Sequence, residues 1–333
     1  MMNKRIFNIR ALHSYAIVAL LFIVAFSSCN DSNSPDETRE EAAVSFQLRA
    51  ASEDYLNNTS IYRFDTSNKF VEKMLNVQRE NNTLSTYTAV GTWNLVLLTC
   101  NENISDNIIV PSPKASYTEP MWRTKDVGNF LSQTPELRYV SLPNVVITKD
   151  NVTKLSTLLY RNVAKIQVIL KKYDGFDKIK EGKNTNAYAE LLDVPTTLNW
   201  DGNLYPNKTS PDLSEKPLRE DFKFNNSGVA DTVNFIVPAH RGDDAFKIDE
   251  DGILVQNSAT VDTTTHKLKL RVSMPLSGQA YFGKSKEGIE IPYVPKVNSI
   301  IQVNVTFYGK TSMDIKIDVK PWEDWIIQEE TFE

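Results

Sequence analysis

Apolar and polar residues alternate along much of this chain. Apolar side chains occupy every second position from Val44 to Leu48 and again within Ala164–Leu170. Side chains that alternate in this way lie on one face of a β-strand. Sustained 3.6-residue periodicity, which is typical of an amphipathic helix, is sparse. The pattern therefore predicts an all-β protein with a β-sandwich architecture.

Nine further segments are rich in strand-forming residues and bounded by turn residues. They are Ser60–Asp65, Phe70–Val77, Leu84–Val90, Trp93–Cys100, Tyr139–Ile147, Thr232–Val237, Lys267–Met274, Ser299–Tyr308 and Met313–Val319. The last two are separated by four residues that include Gly309, which predicts a hairpin. Cys100 ends an apolar segment, so we expect a buried, inert thiol.

The chain length of 333 residues favours two domains. Asn199–Pro217 interrupts the strand pattern with prolines, a glycine and short polar residues. A cut near residue 205 gives an N-terminal domain of residues 50–205 and a C-terminal domain of residues 206–333. The alternative is a long surface loop within one domain.

The first 28 residues have the pattern of a secretory signal peptide. Basic residues precede the apolar run Tyr15–Phe26, which is too short to span a bilayer, and Ser27-Ser28 stand before Cys29. Small residues before a cysteine are typical of a lipoprotein processing site. We therefore expect Cys29 to be lipidated, whereas an ordinary signal peptide that happens to end near a cysteine is the alternative.

Asn30–Glu41 is polar, acidic and without periodicity, which indicates a flexible tether. Together with the first strand it forms a predicted propeptide of residues 29–49. The whole chain has a formal net charge of −5; without the signal peptide, 34 basic and 42 acidic residues leave −8. Since nucleic-acid binding requires a basic surface, nucleic acid is not an expected partner.

Residues for chemistry are scarce in the sequence. After the signal peptide only His240 and His266 remain as histidines, and no nucleophile elbow, zinc-binding helix, phosphate loop or dinucleotide fingerprint occurs. We expect no catalytic residues, no metal site, no cofactor and no enzyme activity.

Two features suggest contact with surface ligands. Arg241-Gly242-Asp243 spells the tripeptide that integrins recognise, although an ordinary tight turn is the alternative. Trp200 lies in the loop-like segment, and we expect it to be the exposed tryptophan, available to stack on a sugar. Trp200 therefore favours the alternative function of a monomeric glycan-binding surface lipoprotein.

The first strand suggests a route to polymerisation. Val44, Phe46 and Leu48 are followed by Arg49, where a trypsin-like protease could cut. If these side chains fill a groove, a cut after Arg49 would leave the strand held only by non-covalent contacts, and the emptied groove would accept a strand from another subunit. The alternative is that Arg49 caps an ordinary edge strand.

Several short motifs in this order resemble fimbrillin-family subunits of Bacteroidales type V pili. They are the processing site at Cys29, Ile61–Asp65, Arg161–Val168, Asn298–Val305 and Val319–Trp322. The resemblance implies two transthyretin-like β-sandwich domains in tandem, export as a lipoprotein to the outer membrane, and removal of the first strand by an arginine-specific protease. Arg49 matches the family's cleavage site, and Arg39 is the reserve candidate.

The chain is most similar to an accessory, tip-associated subunit of the short, minor fimbriae. The resemblance implies assembly with other fimbrial subunits by donor-strand exchange and a final location in the extracellular fimbrium. It also implies roles in adhesion and biofilm formation, with host or bacterial surface ligands. The alternative within the family is an anchor subunit that keeps its lipid.

Overall fold

The computed structural model describes residues 40–49, 53–103, 105–172, 187–207, 209–222, 231–241, 246–248, 254–256, 267–273, 288–307 and 313–322. The chain separates after Glu40 into two units, and every element described here lies in the second, Glu41–Glu333. No helix within the described ranges is long and apolar enough to cross a membrane.

The described residues form twenty-three strands and one short helix. The first twelve strands and the helix are β1 Glu41–Arg49, α1 Glu53–Asn57, β2 Ser60–Phe64, β3 Phe70–Lys73, β4 Gln78–Glu80, β5 Thr83–Ala89, β6 Gly91–Thr99, β7 Pro120–Arg123, β8 Asp126–Val127, β9 Phe130–Leu131, β10 Arg138–Ile147, β11 Thr153–Leu158 and β12 Tyr160–Arg161. The others are β13 Val163–Lys172, β14 Ala187–Leu192, β15 Thr197–Asn199, β16 Leu218–Phe222, β17 Asp231–Pro238, β18 Phe246–Ile248, β19 Leu254–Gln256, β20 Lys269–Ser273, β21 Ile289–Glu290, β22 Ser299–Phe307 and β23 Met313–Pro321.

The prediction of an all-β protein is confirmed. Each predicted segment contains a strand, with similar bounds for most of them, as β6 and β22 illustrate, whereas β3 covers only the first half of Phe70–Val77. The pattern did not reveal short strands such as β8, β9 and β12, because two residues are too few to establish a period.

The first sandwich consists of two sheets with strand orders β11-β1-β5-β4 and β12-β10-β6-β2-β3. Its core is a cluster in which β1 and β5 contribute Val44, Phe46, Leu48 and Leu84, and the facing sheet contributes residues such as Leu95. Burial of each such side chain contributes about 1.5–3 kcal/mol. The apolar alternation of β1 therefore reflects one face turned to this core.

The central strand β6 is covered on both faces. Leu95 and Leu97 belong to the core of the first sandwich, whereas Val96 and Leu98 face a second cluster on the other side of the sheet. All four side chains are buried. Coverage of both faces explains why this segment is continuously apolar instead of alternating.

The second sandwich has strand orders β17-β13-β22-β23 and β21-β20-β14-β16-β9-β8. Its core includes Ile166, Leu191, Phe235 and Val303. The strands β13 and β22 run parallel, with Ile166 opposite Ile301, whereas the other long pairs in these two sheets are antiparallel among the described residues.

A third cluster, which we call the junction cluster, contacts both sandwiches. It contains Tyr62 and Tyr139 of the first sandwich, Ile300 of the second, and Trp200 and Trp322. These side chains fill the space that would otherwise separate the two cores.

Sheet pairing extends across the boundary expected near residue 205. Strand β14 precedes that position, yet it pairs with β16 and β20, which follow it. The second sandwich includes β8 and β9 before this position as well, and its long strands begin with β13 at Val163. Pairing therefore gives no support to a cut at 205, and independent folding of residues 50–205 stays a prediction.

Candidate functional site

The first strand lies in the interior of its sheet. β1 pairs in parallel with β11, where Phe46 lies opposite Leu155, and antiparallel with β5, where Phe46 lies opposite Leu84. An edge strand has a partner on one side only. The interpretation of β1 as an ordinary edge strand is therefore wrong.

The inward side chains of β1 fill the core of the first sandwich. Val44 and Phe46 have no exposed surface, Leu48 is 1% exposed and Ala42 is 4% exposed. The opposite face is polar and half-buried; there Gln47 accepts a 3.3 Å hydrogen bond from the Thr83 hydroxyl. The three side chains singled out from the sequence thus occupy one apolar groove.

The groove consists of two strand edges and an apolar floor. Its edges are β5 and β11, which do not pair with each other because β1 lies between them. Its floor includes Ile61, Leu95 and Ile147 from the facing sheet. Without β1, both edges would have unpaired N–H and C=O groups beside this apolar floor.

Arg49 is the last residue of β1 and lies opposite Leu158 of β11. The next element along the chain is α1, which begins at Glu53. The other proposed processing residues, Cys29 and Arg39, lie outside the described residues, and so does the chain after Trp322. Their roles stay predictions.

Arg241 of the integrin-like tripeptide contacts its own chain. Its guanidinium donates a 3.2 Å hydrogen bond to the carbonyl of Asp201 and lies 5.5 Å from the ring centroid of Tyr139. Gly242 and Asp243 lie outside the described residues. Recognition of the tripeptide stays a prediction, and a receptor would have to compete with these contacts of Arg241.

The prediction that Trp200 is exposed is wrong. Its side chain has no exposed surface, and its ring centroid lies 4.6 Å from that of Tyr62 and 5.5 Å from that of Phe64. The hydroxyl of Tyr139 donates a 2.8 Å hydrogen bond to the Trp200 carbonyl. The segment folds back onto the outer face of the sheet because that face is apolar, and Trp200 becomes part of the junction cluster.

Cys100 is buried, as predicted. Burial raises the pKa of its thiol to about 11, and the thiol donates a hydrogen bond to the carbonyl of Glu102 at 2.8 Å. The nucleophilic thiolate is therefore scarce at neutral pH.

A charged cluster that the sequence pattern did not reveal lies at the junction between the sandwiches. Arg161 contacts Glu136, with 2.5 Å between Nε and Oε1, and its guanidinium lies 4.7 Å from the ring centroid of Trp322. The ammonium of Lys165 lies 4.3 Å from the same ring. Burial alone would raise the pKa of Glu136, but attraction to Arg161 and hydrogen bonds from Arg138 and Arg161 lower it.

Three of the quoted motifs meet at this cluster. Arg161 begins one motif and Trp322 ends another, and Asn298, the first residue of the third, accepts a hydrogen bond from the Trp322 amide at 3.1 Å through its carbonyl. These motifs are far apart in the sequence, and only the fold brings them into contact. Among the described residues, no group of three His, Cys, Asp or Glu is arranged to hold a metal ion.

One known protein family matches most of the chain. The sequence profile of the family described as fimbrillin-A associated anchor proteins Mfa1 and Mfa2 matches residues 35–328. No curated protein matches the chain.

Solved structures with a similar course of the chain come from several bacteria. The tip fimbrial protein Mfa3 from Porphyromonas gingivalis, with a C-terminal truncation, is 14% identical at a TM-score of 0.46, covering 85% of this chain and 100% of that one. A candidate cell adhesion protein from Bacteroides eggerthii is 10% identical at a TM-score of 0.49, covering 85% and 96%. A candidate polysaccharide-binding protein from Bacteroides thetaiotaomicron is 12% identical at 0.49, covering 84% and 96%.

Proposed function

Because the chain belongs to the family of fimbrillin-A associated anchor proteins, we propose that it is an accessory, tip-associated subunit of surface fimbriae that assembles by donor-strand exchange. Family membership gives a cell-surface fimbrial location and association with other fimbrial subunits. The family consists of structural fimbrial proteins, not enzymes. Adhesion, biofilm formation and contact with host or bacterial surface ligands are part of the proposal.

The observation that carries the proposal is the position of β1. It is paired on both sides, its inward face is buried, and it ends at Arg49. A cut after Arg49 would separate β1 from the body of the chain. The strand would then be held only by non-covalent contacts, chiefly its ladder hydrogen bonds and the buried side chains of Val44, Phe46 and Leu48, and a competing strand could replace it.

The geometry of the groove restricts what could replace β1. A donor in the same orientation would run parallel to β11 and antiparallel to β5. It would present apolar side chains at every second position, because the floor is apolar and the opposite face is polar. A one-residue slip would turn its polar side chains into the core, so the donor register is strongly specified.

Cleavage at the two candidate sites differs in whether β1 stays attached to the chain. Arg39 precedes β1, so a cut after it would remove the lipidated tether but leave β1 covalently attached. Arg49 ends β1, so a cut there would release both. Only cleavage after Arg49 is compatible with strand exchange into this groove.

The two alternatives to a cleaved accessory subunit are not equally well supported. A lipid-retaining anchor would keep Cys29 and need no cut, and the description of the family includes anchor proteins. A monomeric glycan-binding lipoprotein was favoured by Trp200, which is buried and cannot stack on a sugar. The anchor is therefore the stronger alternative.

The test is the N-terminus of the protein in native fimbriae. We would determine its N-terminal sequence and mass from wild-type cells and from cells that lack arginine-specific protease. We expect a chain that begins at Ala50 in the first sample and a chain lipidated at Cys29 in the second. Arg49→Ala should abolish incorporation into fimbriae, and Arg39→Ala is the matched control that should not.

Other outcomes would separate the alternatives. A chain that stays lipidated at Cys29 in both samples would contradict strand exchange and favour the anchor. A chain that begins at Glu40 would mean cleavage after Arg39, with β1 retained and the groove permanently filled.

A further inference from the structure

An open surface cleft of about 790 Å³ lies away from the β1 groove. One wall is formed by Asp106, Asn107 and Ile109 and by the chain from Arg123 to Asp126, and the other by Thr196 and residues 212–216. Its volume is within the range of small-molecule sites in proteins. No residue of the cleft belongs to β1.

Backbone hydrogen bonds fix the two walls relative to each other. The amide of Arg123 donates to the carbonyl of Asn107 at 3.2 Å, and that of Thr124 donates to Thr196 at 2.8 Å. The amide of Thr196 in turn donates to Asp212 at 3.0 Å. Segments distant in sequence are thus joined by main-chain bonds, so the cleft is formed before any ligand binds.

The cleft is lined by side chains of both charges. Three ion pairs lie there: Lys216–Asp126 at 2.6 Å, Arg123–Asp212 at 3.7 Å and Lys125–Asp106 at 3.7 Å. The two longer separations exceed hydrogen-bond distance. The Arg123 side chain is 60% exposed and Asp212 is 39% exposed. Donors and acceptors of these two pairs are therefore available to a ligand.

We propose that this cleft binds a neutral saccharide. Each sugar hydroxyl both donates and accepts hydrogen bonds, so it can bridge a guanidinium or ammonium and a carboxylate that lie too far apart to bond directly. Ile109 and Leu213, which are 38% and 41% exposed, offer apolar contact for the C–H face of a sugar ring.

Neither sign of charge clearly predominates in the cleft. The lining has three basic residues and, with Glu215, four acidic residues. An anionic sugar would be attracted by the basic side chains and repelled by the carboxylates, and a cationic sugar the reverse, so neither gains a clear net attraction. A neutral polyhydroxyl ligand meets neither repulsion.

This inference does not depend on strand exchange. The cleft would be present whether or not β1 is removed, since its walls share no residue with the groove. Uncleaved protein is therefore suitable for the test.

The test is titration of the purified full chain with defined sugars, measured by calorimetry and by saturation-transfer NMR. The neutral probes are D-galactose, D-mannose, L-fucose, N-acetyl-D-glucosamine, lactose and cellobiose. N-acetylneuraminic acid and D-glucosamine are the anionic and cationic comparisons. The cleft variants are Arg123→Ala and Asp212→Ala, and Lys267→Ala, which removes an ion pair with Glu290 outside the cleft, is the matched control.

We expect saturable binding of at least one neutral sugar, weakened about tenfold or more by each cleft variant and unchanged by Lys267→Ala. Thermal melting of each variant, which we expect to match the wild type because the side chains are on the surface, shows that lost binding is not lost folding. The proposal is overturned if no neutral sugar in the panel binds, if only a charged sugar binds, or if both cleft variants bind as well as the wild type.

Discussion

Phe46 of β1 lies directly opposite Leu84 of β5, and neither side chain has any exposed surface. The pair joins the strand proposed to leave the molecule to a strand that would stay. Such a cross-strand pair contributes to sheet stability beyond the main-chain bonds. Its strength therefore determines how firmly the first strand is held before any exchange.

The inward face of β1 can be tested by truncation. Phe46→Ala should lower the free energy of unfolding by about 3–5 kcal/mol, because it removes a buried ring and leaves a cavity. Ser45→Ala, on the opposite face of the same strand, should change it by no more than about 0.5 kcal/mol. Denaturant unfolding of the uncleaved chain measures both. Equal stability of the two variants would mean that the first strand fills no groove.

The junction cluster predicts a dependence on pH. Glu136 has a lowered pKa in the folded protein, so its ion pair stabilises the fold above the ordinary value of 4.5 and loses this effect as the pH falls through the lowered value. Glu136→Gln should cost about 1.5–3 kcal/mol at pH 7, because Arg161 loses a charged partner.

The measurement is the unfolding free energy of wild type and Glu136→Gln between pH 7 and pH 3. We expect the difference between the two proteins to shrink toward the acid end, where Glu136 becomes protonated. A difference that stays constant over this range would contradict a stabilising charge on Glu136.

The burial of Trp200 predicts a large effect of its removal. Trp200→Ala should destabilise the fold by about 3–5 kcal/mol, since it empties the centre of the junction cluster. Tyr87→Ala is a suitable control because the Tyr87 side chain is 69% exposed. Thermal melting distinguishes the two variants. Similar melting of Trp200→Ala and wild type would contradict a core position.

The raised pKa of the Cys100 thiol predicts resistance to alkylation. At pH 8 the thiol is protonated and buried, so iodoacetamide should leave it unmodified in the native protein and react after denaturation. Mass spectrometry of the peptide that contains Cys100 follows this residue alone. Rapid modification of native protein would show that the thiol is accessible.

Strand content could be predicted from sequence because the period of two is local. The segments that became β1, β13 and β22 each show their buried face as alternate apolar residues. Cys100 was also predictable, since a cysteine at the end of a largely apolar segment has little chance of exposure. These inferences need no knowledge of which strands are neighbours.

Exposure of a loop residue could not be predicted in the same way. Trp200 follows a short strand in a segment rich in proline and polar residues, and that composition gave no sign of the apolar sheet face against which it packs. The cleft between residues 106–126 and 196–216 was missed for a similar reason. Its charged residues occur in separate segments and have no pattern until the chain folds.

The sequence alone determined the all-β class, the approximate strand positions, and which side of β1 is apolar, because each depends on neighbouring residues within one strand. Only the tertiary structure decided that β1 lies between β5 and β11, that Arg161 and Trp322 meet, and that Trp200 is buried. These facts depend on pairing and packing between residues far apart in the chain, where the free energy of contact is a property of the whole fold and not of any one segment.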